Sequence, residues 1–192
     1  INAAITHVTR YTYDRRINLA PQIIRLRPAP HARTKILAFS QTIEPAGHFL
    51  NWQQDPFGNY LARAVFPEKV DHFTVTIDVV ADMASINPFD FFLEDSAQTF
   101  PFTYDADLAK DLSPYFETHK HGPLFEDLLS IISREPQPTN DFLVEVNRLV
   151  MDAVAYTIRM EPGVQTAEQT LDLGSGSCRD SAWLMVHLMR RL

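Results

Sequence analysis

Six short segments rich in β-branched and aromatic residues occupy positions 5–13, 22–27, 35–43, 49–53, 60–66 and 73–80, with no helical pattern between them. Turn signals such as Asp55-Pro56-Phe57-Gly58-Asn59 separate them, so this part of the chain is confined to short strands joined by tight connections. In the first segment Arg10 and Thr12 alternate with Tyr11 and Tyr13, the period of a half-buried strand. The spacing predicts an antiparallel β-sandwich over 1–85. Trp52, Asp55, Gly58 and Asn59 read as hairpin chemistry, the indole anchoring the sheet and Gly-Asn supplying left-handed backbone positions. A stacking platform for a sugar is the competing reading of Trp52.

The pattern changes at 86–122. Pro88, Pro101 and Pro114 lie among many Phe and Tyr residues, a composition too aromatic for a disordered linker, and we expect an ordered connector. His119 and His121 stand near its end; as an isolated i, i+2 pair they make a weak metal site and a better surface turn. From Pro123 the apolar residues take helical spacing. Leu124, Phe125, Leu128, Leu129 and Ile132 form one stripe, and Phe142, Val146, Leu149, Val150 and Ala153 form a second, capped by Thr139 or Asn140. Thr166 to Gln169 reads as a capping box opening a brief helix that Gly174 ends. The run 182–189 is apolar apart from His187, as in a helix at the middle of a domain. The class is therefore α+β, with helices over 123–192.

Charge divides at the same place. Residues 1–85 hold nine Lys and Arg against seven Asp and Glu, and residues 86–192 hold eight against seventeen. The acidic second half argues against a nucleic-acid groove, and the mild excess of arginine in the first reads as a solvated sheet surface. No apolar run approaches the roughly 18 residues that span a bilayer, and no signal-peptide pattern opens the chain at Ile1. A single cysteine excludes an internal disulfide and a multi-cysteine zinc site, which suits a reducing cytoplasm. We expect a soluble, cytoplasmic protein without metal or cofactor, and without nucleic-acid or membrane partners.

That cysteine lies in Gly174-Ser175-Gly176-Ser177-Cys178-Arg179-Asp180-Ser181-Ala182-Trp183-Leu184, a Gly/Ser lead running into an apolar helix. Ser177 fits the N-cap, with Asp180 reaching back to it in a short-armed capping box. Cys178 then falls in the first turn, where unpaired N–H groups, the helix dipole and Arg179 favour a thiolate. A small buried hydrophobe is the structural alternative for a lone cysteine. No Gly-Lys-Ser/Thr follows, so the lead is not a phosphate-binding loop; no third glycine completes a dinucleotide fingerprint, and the Gly-x-Ser-x-Gly elbow of serine hydrolases is missing.

The segment 174–184, with Tyr156-Thr157-Ile158-Arg159 and 161–166 before it, resembles the nucleophile segment of bacterial transglutaminase-like proteins, a branch of the papain-like cysteine enzymes. The segments 7–13, Leu26-Arg27-Pro28 and 52–59 are similar to the N-terminal region that precedes such cores. The resemblance implies a catalytic Cys178 supported by Ser177, Arg179 and Asp180, attack on a protein or peptide amide, and a thioester intermediate released to water or to an amine. The backbone N–H of Cys178 is then an oxyanion donor. In that family a His and an Asp on strands after the cysteine helix complete the site, whereas this sequence ends at Leu192. His187 lies about 13 Å along the same helix at 1.5 Å per residue and cannot replace them. The expectation is a truncated part of a larger acyltransferase or hydrolase, inactive by itself and self-associating through its C-terminal helices. A binding or scaffold module with a structural or redox-responsive cysteine is the alternative.

Overall fold

The computed structural model describes residues 1–85, 87 and 91–192. Ile86, Pro88, Phe89 and Asp90, at the start of the expected connector, lie outside the described residues. The chain forms two compact units, Ile1–Asp90 and Phe91–Leu192, so the aromatic stretch from Phe91 onward is part of the second unit.

All six strand-like segments of the first unit are strands: β1 (Asn2–Ile17), β2 (Gln22–Ile24), β3 (Lys35–Glu44), β4 (Phe49–Gln54), β5 (Tyr60–Val65) and β6 (Val70–Asp82). They make two antiparallel three-stranded sheets, ordered β1-β6-β3 and β2-β5-β4. Alternation decides what is buried. Phe73, Val75 and Ile77 of β6 and Ile43 of β3 turn toward Ile24, Ala62 and Ala64 of the other sheet, and together they form one core with Phe66 and Val70. Tyr11, opposite Phe73 in the ladder, lays its ring on that phenyl at 6.0 Å yet stays 53% exposed.

Between β4 and β5 the turn forms at the expected residues, but only Gly58 of the Gly58-Asn59 pair takes a left-handed backbone; Asn59 does not. The Asp55 carboxylate accepts the Phe57 and Asn59 N–H groups, each at 2.9 Å, and Gly58 takes φ 79°. The Asn59 side chain also donates to the carboxylate and is the main cause that holds the Asp55 carboxyl below its usual range. Trp52 is not in the core. It is 42% exposed on β4, edge-on to Phe39 of the opposite sheet at 6.4 Å and under the Arg27 guanidinium at 5.2 Å.

The second unit is mainly helical: α1 (Ala106–Asp111), α2 (Pro123–Ser130), α3 (Thr139–Ala153), α4 (Ala167–Leu173) and α5 (Cys178–Arg191). Two short ladders pin it, β7 (Thr99–Phe100) antiparallel to β8 (Gln137–Pro138) and β9 (Ala155–Tyr156) parallel to β10 (Ser175–Gly176). Phe142, Val146 and Val150 of α3, four residues apart, line one face and meet Phe125 and Leu129 of α2 and Leu184 and Leu188 of α5. Phe100 stacks on Phe142 with ring centroids 3.5 Å apart, which joins β7 to that core. Each such large side chain contributes about 1.5–3 kcal/mol by leaving water.

Three local expectations are revised. Thr139 does not cap α3: Pro138 holds that place, and Thr139 uses its hydroxyl and N–H on the carbonyls of Ala97 and Gln98. Helix α5 is not buried all round. Leu184 and Leu188 have no exposed surface, but Trp183 and Val186 keep 38% and 37% of theirs. The His119–His121 turn is not merely solvated either, since both rings lie against His187 of α5, at 5.4 and 4.6 Å.

Candidate functional site

Helix α4 opens on the expected capping box, Thr166 with Gln169, and ends at Gly174 with φ 58°, a left-handed position that glycine adopts without penalty. The left-handed turn reverses the chain into β10. There the Ala155 N–H reaches the Gly174 carbonyl at 2.8 Å, and the Thr157 N–H reaches that of Gly176 at 2.9 Å. This parallel ladder sets the 157–165 loop beside the start of α5.

The first turn of α5 is fixed by one carboxylate. Asp180 has no exposed surface, and its Oδ2 accepts the Ser177 N–H at 2.8 Å and the Ser177 hydroxyl at 2.7 Å, within the capping box predicted for this pair. Oδ1 accepts the Gln165 N–H at 2.8 Å. Arg159 supplies the remaining bonds, Nε to Oδ2 at 2.9 Å and Nη2 to Oδ1 at 3.1 Å, a two-pronged grip. The same Nη2 donates to the Gly163 carbonyl at 2.7 Å, which folds the loop back on itself. The Arg159 guanidinium is the largest cause that holds the Asp180 carboxyl far below its usual range, with the Gln165 and Ser177 bonds acting in the same direction against the burial that opposes them. Asp180 returns the effect by raising the Arg159 guanidinium. Gly176 leaves room for this arrangement: a Cβ there would stand 2.9 Å from the Asp180 Cβ.

Above this anchor, Cys178 is the first residue of α5 and its thiol is exposed. Arg179 is exposed as well, while Ser177 is buried with Asp180. The four residues singled out in the sequence thus divide into two inward and two outward. Neither Cys178 nor Arg179 makes a side-chain hydrogen bond or ion pair among the described residues. Arg159 was legible only as part of a motif, and its role as the partner of Asp180 had no signal in spacing. Its neighbours Ile158 and Met160 turn outward, 77% and 87% exposed.

His187 faces away from this end of α5. Its ring meets Trp183 at 4.5 Å, His121 at 4.6 Å and His119 at 5.4 Å, and burial lowers its pKa to about 4. Among the described residues no group of three or more His, Cys, Asp or Glu is arranged to hold a metal ion, and no helix is long and apolar enough to cross a membrane. A cavity of about 680 Å³ opens at the other end of α5, beside Phe102, Phe116, Met189 and Leu192, and Cys178 does not line it.

Residues 3–82 match the family described as the bacterial transglutaminase-like N-terminal region. No curated protein matches the sequence significantly. Among solved structures, the fold is similar to that of a cysteine-protease candidate from Cytophaga hutchinsonii, with a TM-score of 0.66 at 15% identity over 100% of this chain. The chain spans 65% of that protein's length. The match to the bacterial transglutaminase-like N-terminal region thus covers residues 3–82, and the likeness to the solved structure is one of fold.

Proposed function

We propose that Cys178 is the nucleophile of a transglutaminase-like cysteine acyltransferase or hydrolase acting on protein or peptide amides. The observation that carries this reading is the exposed thiol on the first residue of α5, on a turn that the buried Asp180 ties to Ser177, Gln165 and Arg159. A nucleophile must be accessible and rigidly placed, and its leading N–H groups must remain free to meet the oxyanion that forms on attack. The thiolate adds to the amide carbonyl, the C–N bond breaks with protonation of the departing amine, and the thioester passes its acyl group to water or to a second amine. The likeness to a cysteine-protease candidate supports this reading, as does the transglutaminase-like region at 3–82.

A base is needed to take the thiol proton and deliver it to the leaving group. The nearest candidate on the same helix, His187, is occupied with Trp183, His119 and His121. In this reading the base and its orienting carboxylate lie on chain following Leu192, so 1–192 by itself does not turn over amides. The test is a pair of assays on the protein extended beyond Leu192, one for release of a peptide amide and one for incorporation of a fluorescent primary amine. We expect one or both to be active and Cys178→Ala to abolish them; activity that survives the substitution would remove the proposal. The competing reading, a binding module with an inert cysteine, predicts no activity in either assay.

A further inference from the structure

We infer that Arg159 is a positioning residue for Cys178. It grips the Asp180 carboxylate to hold the 157–165 loop against the first turn of α5, and it balances the negative charge that this carboxylate places two residues along the helix from Cys178. The inference rests on the reading of Cys178 as a nucleophile. Its basis is geometric. Asp180, two residues from Cys178, is fully buried and takes both prongs of the guanidinium, at 2.9 and 3.1 Å. Arg159 is itself only 14% exposed, so water screens the pair poorly.

Such a carboxylate has a cost for thiol chemistry. It fixes the cap by accepting the Ser177 N–H, but a negative charge near the cysteine disfavours the thiolate. The Arg159 charge removes that penalty while leaving the cap intact. If Arg159 is lost, three donors still keep Asp180 ionised: the Gln165 N–H, the Ser177 N–H and the Ser177 hydroxyl. The bare charge then acts on the thiol. If Asp180 is made neutral instead, the guanidinium is left uncompensated and acts with the opposite sign. A purely structural lock would loosen the turn in both cases and move the thiol the same way.

The test is the rate of Cys178 alkylation by iodoacetamide at pH 7 in the folded chain, followed by intact mass. Arg159→Met should slow it by roughly 3- to 10-fold and Asp180→Asn should speed it by about 2- to 5-fold, with the double variant within about twofold of the unaltered chain. Should Arg159→Met not fold, Arg159→Lys keeps the charge and should also stay within about twofold, while Asp180→Asn still carries the test of sign. Equal rates, or single substitutions that both shift the rate in one direction, would overturn the inference. The nucleophile reading fails separately, if the unaltered folded thiol reacts no faster than the thiol of the unfolded chain.

Discussion

At the scale of single residues, two buried titratable groups govern how this protein responds to pH, with the same sign and in different windows. Asp180 is ionised in the fold and held far below the ordinary carboxylate range by Arg159 and its other donors. Its stabilisation is therefore complete above that range and drains away as pH falls from there toward the lowered value that the carboxyl has in the fold. Asp180→Ala would strand a guanidinium that is 14% exposed and uncap α5, and should lower stability by about 3–5 kcal/mol in urea unfolding at pH 7. His187 is kept neutral, with its pKa lowered to about 4 chiefly by burial and further by His121, His119 and Arg190. The neutral form is favoured by the fold, so the stability it contributes is complete above about 6.5, the ordinary value for histidine, and drains away between there and about 4. His187→Met should flatten the fall in urea midpoint between pH 6.5 and 4.5 by that share, while leaving any fall below pH 4 that belongs to Asp180. A fall of unchanged depth between pH 6.5 and 4.5 would contradict the assignment.

The capping boxes were legible because they are local. Thr166 and Gln169, and Ser177 and Asp180, are three residues apart, so the chain announces each pair without any knowledge of the fold. The partner of Asp180 that matters most is 21 residues away, across a loop whose course depends on the β9–β10 ladder, and no periodicity points to it. In the sequence His119 and His121 look like a surface turn for the same reason, because the histidine that meets them is on α5.

Among the elements, helix faces are legible in the sequence where burial follows the period. Phe142, Val146 and Val150 were marked by spacing and are buried, with Phe142 only 1% exposed and stacked on Phe100. Phe142→Ala should cost about 3–5 kcal/mol, measured by chemical denaturation, since it empties the centre of the second unit. Helix α5 misled because an apolar run says that a helix has apolar surface, and not how much of it meets other elements. Gly176→Ala tests the close approach beneath Cys178. Its methyl would meet the Asp180 Cβ at 2.9 Å and the Gln165 side chain at 3.2 Å, and the strain should lower stability by about 1–3 kcal/mol. A neutral result in urea unfolding would mean that the turn gives way more easily than this packing implies.

For the whole molecule, the change in hydrophobic period along the sequence marks where strands give way to helices, while the stretch expected as a separate connector over 86–122 belongs from Phe91 onward to the second unit. Proline and aromatic residues identify a stretch that packs, but not the core it joins; Phe100 joins that of the second unit. Each unit has a core of its own, so Phe142→Ala should weaken amide protection in α3 and α5 and leave it unchanged in β5 and β6. Hydrogen exchange read by mass spectrometry checks this directly, and equal loss in both units would show that they unfold as one.

The central claim, that the fold makes a nucleophile of Cys178, is tested most directly by acyl transfer from an activated ester to the folded chain, with the adduct mapped by mass spectrometry. The account predicts a single acyl group on Cys178, formed faster than on the urea-unfolded chain, absent in Cys178→Ser and released by hydroxylamine as a thioester is. Acylation no faster than in the unfolded chain, or adducts on lysines with Cys178 untouched, would contradict it.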